Sequence, residues 1–146
     1  MKKLRIFIDM DGVISDFDKA KKAYMKNRPD LHIDYRYLDL IEGAEEAVKY
    51  LHEHHEIFIA STPPWSRIQV WADKRAWLEE NFPYLKRKLI FTHRKDLLIG
   101  DVLIDDSHYR GQKDFKGHWF WFNRKSSNKN WKACLEFIKN LENEKI

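Results

Sequence analysis

The chain has 146 residues, 43% hydrophobic and 14% aromatic, which suits a single domain over residues 1–146 with a true core. Its formal charge of +4 is spread along the sequence; it tolerates anionic partners and gives no ground by itself for a nucleic-acid-binding role. One cysteine, Cys134, rules out an internal disulfide framework and fits a reducing cytosol, and no apolar run could span a bilayer, so a cytoplasmic protein without membrane partners is expected.

In chain order, Leu4–Ile8 reads as a short buried strand, too brief for a signal-peptide core, and it ends at Asp9-Met10-Asp11-Gly12. Ile14 to about Lys26 has a helical pattern, with Phe17, Ala20, Tyr24 and Met25 as candidates for one face. Arg28–Leu40 is irregular and holds Pro29, Tyr35 and Tyr37. Glu42–His54 is a predicted helix, because Ala44, Ala47, Val48 and Leu51 fall at i, i+3, i+4 and i+7. Ile57–Ala60 is a second buried strand closed by Ser61-Thr62-Pro63-Pro64, and a helix follows from about Arg67 to Asn81. Leu89–Thr92, Val102–Ile104 and Trp119–Phe122 are the remaining strands, and a last helix over Asn130–Leu141 buries Trp131, Leu135 and Ile138.

Strands alternating with helices predict an α/β fold: a mostly parallel sheet with helices on both faces. In such sheets the chemistry gathers outside the carboxyl ends of the strands. Three predicted strand ends carry reactive side chains: Asp9 and Asp11, then Ser61 and Thr62, then Asp105 and Asp106.

Asp9-Met10-Asp11-Gly12-Val13 after an apolar strand resembles the nucleophile motif of haloacid dehalogenase (HAD) phosphatases. Ile57–Ser61 resembles their second motif, Lys95 stands where the third motif's lysine belongs, and Gly100–Asp106 resembles the acidic fourth. Further segments are similar to the 5′(3′)-deoxyribonucleotidases in the same order: Asp9–Phe17 (DMDGVISDF), Glu42–Leu51, Asp73–Phe82, Leu103–Asp106 and Asn130–Leu135. Two departures stand out. The family's usual Thr-Ser after the second strand is here Ser61-Thr62, and the stretch before Gly43 is much shorter than the family's helical cap.

The resemblance implies a Rossmann-like HAD fold with a reduced cap insert at residues 15–41. It also implies a phosphomonoesterase in which Asp9 becomes transiently phosphorylated and Asp11 acts as general acid, then base. Mg²⁺ would be held by Asp9, the Asp11 backbone carbonyl and Asp106, with Asp105 behind them ordering a water or Lys95. Ser61, Thr62 and Lys95 would hold the phosphate, and Phe17 would line the base pocket. The expected substrate is a small phosphomonoester, a (deoxy)nucleoside monophosphate first. The alternatives are a sugar phosphate, a phosphate end on a polynucleotide, or a non-catalytic nucleotide- or nucleic-acid-binding module. The sequence leaves base, sugar and oligomeric state open.

Each site residue has a plainer reading. Strand-end aspartates often only cap the next helix, Ser61 would suit a turn before Pro63, and Lys95 could be a solvated lysine with Arg94 in its place. His52, His54 and His55 read as surface histidines rather than a zinc site. The Trp119–Phe122 run reads as the end of a central, buried strand rather than a base-stacking surface, and Cys134 as an inert core thiol.

Overall fold

The computed structural model describes residues 1–27, 33–123 and 130–144. Its centre is a five-stranded, wholly parallel sheet of β1 (Arg5–Ile8), β2 (Glu56–Ser61), β3 (Leu89–Phe91), β4 (Val102–Asp105) and β5 (His118–Trp121). The spatial order is β3-β2-β1-β4-β5. The helices are α1 (Phe17–Asn27), α2 (Ala44–His54), α3 (Ile68–Asn81) and α4 (Trp131–Glu142).

The two faces of the sheet are covered unequally. Ile6, Ile8, Ile57, Ile59, Val102, Ile104 and Phe120 belong to one cluster with buried residues of α2, α3 and α4. The other face buries Phe7, Ala60, Leu103 and Phe115 with Leu98 and Trp119, beside the short 3-10 turns Lys95–Leu97 and Gln112–Asp114. The connectivity explains this. The β1-to-β2 and β2-to-β3 steps run one way with helices in the crossover. The β4-to-β5 step runs the other way, and right-handed crossovers place it on the opposite face.

Several elements begin or end differently from the sequence expectation. The first helix starts at Phe17, not Ile14, because the amides of Val13, Ile14 and Ser15 all donate to the Met10 carbonyl in a tight loop. Asp16 accepts the Lys19 amide at 3.1 Å and so caps the new start. Met25 points to solvent at 62% exposure, leaving Phe17 and Ala20 against the core. In α4 the buried face is Trp131, Cys134, Ile138 and Leu141, and Leu135 is only half-buried. β5 is an edge strand, so its aromatic run divides by face: Phe120 and Phe122 are core, whereas Trp121 is 42% exposed. His55 is buried, not superficial; its Nδ1 accepts the Leu4 amide at 3.0 Å and its Nε2 lies 3.1 Å from Glu142 Oε1. Burial pushes the Cys134 thiol up, as an inert core cysteine requires.

The two ends of the 15–41 stretch lie side by side. Asp16 N–H donates to the Asp39 carbonyl at 2.7 Å, and Ile41 N–H to the Ile14 carbonyl at 2.9 Å. Between these feet lie α1 and the 3-10 turn Tyr35–Tyr37, which packs on α3; part of the irregular stretch expected from Arg28, with Pro29, lies outside the described residues. Among the described residues no helix is long and apolar enough to cross a membrane.

Candidate active site

The sheet register brings the reactive side chains together. Ile8 pairs with Ile59 and Ile104, so Asp9, Ala60 and Asp105 stand level one residue further along three adjacent strands. The central strand therefore delivers Asp9 between the ends of β2 and β4. Here a cavity of about 290 Å³ opens, lined by Asp9, Asp11, Phe17, Tyr35, Ser61, Thr62, Lys74, Lys95, Asp105, Asp106 and Arg110, among others. A larger cavity of about 500 Å³ beside α3 has one acid in its lining, Glu79, which already pairs with Arg75. It has none of this chemistry.

Lys95 is buried, and its ammonium donates to Asp9 Oδ1 at 3.0 Å and to Asp105 Oδ2. Burial works against its charge, yet the two carboxylates outweigh this and hold its pKa above the usual lysine value. Arg94 does not substitute for it; its guanidinium is exposed and engaged by Asp96 at 2.6 Å.

Asp105 has both oxygens engaged, one by Lys95 and one by the Ser107 amide at 2.9 Å. Its carboxyl is pushed up to about 7, by burial first and then by the charge of Asp9. Asp106 keeps an edge in solvent, but its carboxyl lies over Gly12, where a Cβ would sit 1.9 Å from Oδ2. Loss of hydration there, followed by the charge of Asp9, pushes it up to about 9. Gly12 has φ +85°, so glycine is needed both for the turn and for the space.

Oxygens of Asp9, Asp105 and Asp106 lie within 4.8 Å of one another, a density of negative charge that a divalent cation relieves. The donor set fits a hard cation, since all of it is carboxylate oxygen. With Asp105 engaged on both oxygens, Asp9 and Asp106 are the better placed to ligate.

On the opposite wall Asp11 Oδ1 accepts from the Ser15 hydroxyl at 2.9 Å, and its Oδ2 accepts from Lys74 at 2.7 Å. Lys74 also donates to Ser61 Oγ at 2.8 Å, which leaves the Ser61 hydroxyl proton for an incoming oxyanion. Thr62 lines the pocket, but its hydroxyl donates to the Thr92 carbonyl at 2.7 Å and is not aimed inward as Ser61 is. Phe17 lines the pocket and stacks on Tyr35, centroids 5.4 Å apart. Lys74 lies 5.3 Å from the same tyrosine ring. The Tyr35 hydroxyl is pushed up to about 12, by burial and then by Asp11.

All the expected site residues meet in this cavity. The sequence reading missed Lys74. Its signal was present: Val70, Lys74, Trp77 and Leu78 form the buried stripe of α3, and a lysine in such a stripe needs an anionic partner. It also missed Ser107 and Arg110, on an irregular loop without periodicity, and Gln112, at the start of the short 3-10 turn that follows.

The pattern of a known family, described as "5′ nucleotidase, deoxy (Pyrimidine), cytosolic type C protein", matches residues 23–140. The chain belongs to this nucleotidase family. It is accordingly a hydrolase of phosphoric monoesters with an α/β HAD-type fold. A protein of Vibrio phage KVP40, provisionally named a 5′(3′)-deoxyribonucleotidase, is 33% identical over 129 residues, covering 80% of this chain and 74% of that protein. One from Staphylococcus epidermidis with the same provisional name is 32% identical over 137 residues, covering 73% and 76%. The human cytosolic-type 5′(3′)-deoxyribonucleotidase is 27% identical over 152 residues, covering 77% and 76%. The residues matched to the family pattern begin after Asp9 and Asp11.

Proposed function

We propose that this protein is a Mg²⁺-dependent 5′(3′)-(deoxy)nucleotidase that works through a phosphorylated Asp9, with residues 15–41 as a reduced cap over one domain and a cytoplasmic site of action. One observation carries the reading. Asp9 projects from the end of the central strand with one oxygen fixed by Lys95, while Asp11, two residues on, is held apart from it by Lys74 and Ser15. Two carboxylates with separate partners suit two separate tasks.

In the first step an oxygen of Asp9 bonds to phosphorus as the ester P–O bond breaks, and Asp11 gives its proton to the departing alkoxide. In the second, water bonds to phosphorus while Asp11 takes its proton and the Asp9–phosphorus bond breaks, releasing inorganic phosphate. Lys95, the Ser61 hydroxyl and Lys74 meet the charge on the phosphoryl oxygens. When bound, Mg²⁺ neutralises part of that charge; Asp9 and Asp106 would hold it together with the Asp11 carbonyl, and Asp105 would keep Lys95 in place. Phe17, backed by Tyr35, offers a flat apolar surface for a base.

The relatives' names favour a deoxyribonucleoside monophosphate over a sugar phosphate. The test is phosphate release from a panel of nucleoside and sugar monophosphates, with Mg²⁺ and with excess EDTA. Turnover of the nucleotides alone, lost in EDTA, is expected. Equal turnover of sugar phosphates sinks the substrate assignment, and full activity in EDTA sinks the metal ligands.

A further inference from the structure

Beyond the pocket rim, the loop after β4 and the edge strand β5 present an aromatic ledge that the proposed reaction does not use. Trp119 and Trp121 share one face of β5, with centroids 6.2 Å apart. Both indoles are hung on the end of β4, beside the acids of the candidate metal site: Trp121 Nε1 donates to the Asp106 carbonyl at 2.9 Å and Trp119 Nε1 to the Asp105 carbonyl at 3.4 Å. His108 stands edge-on to Trp121 at 6.2 Å, and Tyr109 lies against His108 at 4.1 Å. Tyr109 is 74% exposed and Trp121 42%, so rings that core packing would bury are held in water beside a catalytic centre.

Arg110, the next residue, lines the catalytic cavity itself. Of the three cationic side chains lining that cavity, Lys74 and Lys95 each bridge an aspartate, whereas Arg110 has no acidic partner within 4.0 Å among the described residues. The ledge thus starts where the pocket ends, and an arginine marks the junction. Fixed aromatic faces in series with an arginine are how proteins hold successive bases and the phosphate between them. A protein partner would ask for a broader apolar face than these four rings supply.

We propose that this ledge is a second-nucleotide subsite, so that the enzyme also removes the terminal phosphate from short single-stranded oligonucleotides. Arg110 takes the internucleotide phosphate and Tyr109 with Trp121 the second base. The chemistry is unchanged. The terminal ester P–O bond breaks as the Asp9–phosphorus bond forms, one water is consumed, and inorganic phosphate and an oligonucleotide with a free hydroxyl leave. The inference rests on the nucleotidase reading of the pocket, and the test separates the two.

Phosphate release is measured with thymidine 5′-monophosphate and with thymidine dinucleotides phosphorylated at the 5′ or the 3′ end, and with para-nitrophenyl phosphate as a small ester. For the native protein, kcat/KM of the better dinucleotide should exceed that of the mononucleotide by about five- to a hundredfold, the range of one added base stack. Tyr109→Ala should cut that ratio by roughly tenfold, and Tyr109→Phe, which keeps the ring, should restore it. Arg110→Gln should raise KM for the dinucleotide more than it lowers kcat. A native ratio at or below one, or a ratio untouched by Tyr109→Ala, overturns the subsite and leaves the nucleotidase reading standing. Hydrolysis of para-nitrophenyl phosphate with neither nucleotide substrate overturns both.

Discussion

Lys95 and Lys74 each bury an ammonium against a proposed catalytic aspartate, but from different parts of the architecture. Lys95 reaches Asp9 and Asp105 from a 3-10 turn on the thinly covered face, and these partners' side chains are 11% and 0% exposed. Lys74 reaches Asp11 and Ser61 from the middle of α3, and the Asp11 side chain is 25% exposed. Water can thus hydrate Asp11 if its lysine is lost, whereas Asp9 and Asp105 would be left as two buried like charges. The floor of the pocket is held by compensation between buried charges, and its wall by one half-hydrated ion pair together with the packing of the Tyr35–Tyr37 turn on α3.

The sharpest separation of floor from wall is chemical. Asp9→Asn should lower turnover by at least about a thousandfold, the scale of losing a covalent nucleophile, while the thermal midpoint stays near that of the native protein. A tenth of the native rate remaining would exclude the covalent route.

Removing the lysines tests the difference in electrostatic footing. Lys95→Met should destabilise the Mg²⁺-free protein by about 3–5 kcal/mol, the usual result of orphaning a buried charge, with part of the loss regained on adding Mg²⁺. Lys74→Met should cost clearly less stability in denaturant titrations and respond little to Mg²⁺. Equal losses would erase the distinction.

Within the floor, Asp106→Ala should raise the Mg²⁺ concentration needed for half-maximal activity more than Asp105→Ala does, since Asp105 has both oxygens engaged. The carboxyls of Asp105 and Asp106 are raised to about 7 and about 9 without metal, so protons compete with the cation. The half-saturating Mg²⁺ should therefore climb as pH falls from 9 towards 6. A flat profile, or the reverse ranking of the two variants, reassigns the ligands.

The smallest effect belongs to the wall. Phe17→Ala should reduce kcat/KM for a nucleoside monophosphate by about tenfold, the worth of one stacked base, and leave para-nitrophenyl phosphate nearly unaffected. Equal loss on both substrates would make Phe17 a packing residue for Tyr35 and nothing more.

The floor was legible because three strand ends of a parallel sheet must meet, and each wrote its acid or hydroxyl directly after an apolar run: Ile8-Asp9, Ala60-Ser61, Ile104-Asp105. The wall was less so. Lys74 was hidden by its ordinary place in a charged helix, and only its phase against Val70 and Trp77 distinguishes it. The exposure of Trp121 depended on β5 lying at the sheet edge, a long-range fact that four aromatics in a row do not encode. His55 looked superficial beside two other histidines, because the Glu142 that sits against it is 87 residues away.

Trp131, at the start of α4, donates its indole N–H to the Val13 carbonyl at 2.8 Å, across 118 residues, and so braces the loop that carries Asp11 and Gly12. Its Cβ also lies 3.3 Å from where a Cβ on Gly43 would stand, two residues after the Ile41 amide that bonds to the Ile14 carbonyl. During synthesis the chain emerges from its N-terminal end, so the loop carrying Asp11 and Gly12 is made early and its brace late. A nascent chain that already displays Asp9 and Asp11 still lacks the support that sets their loop.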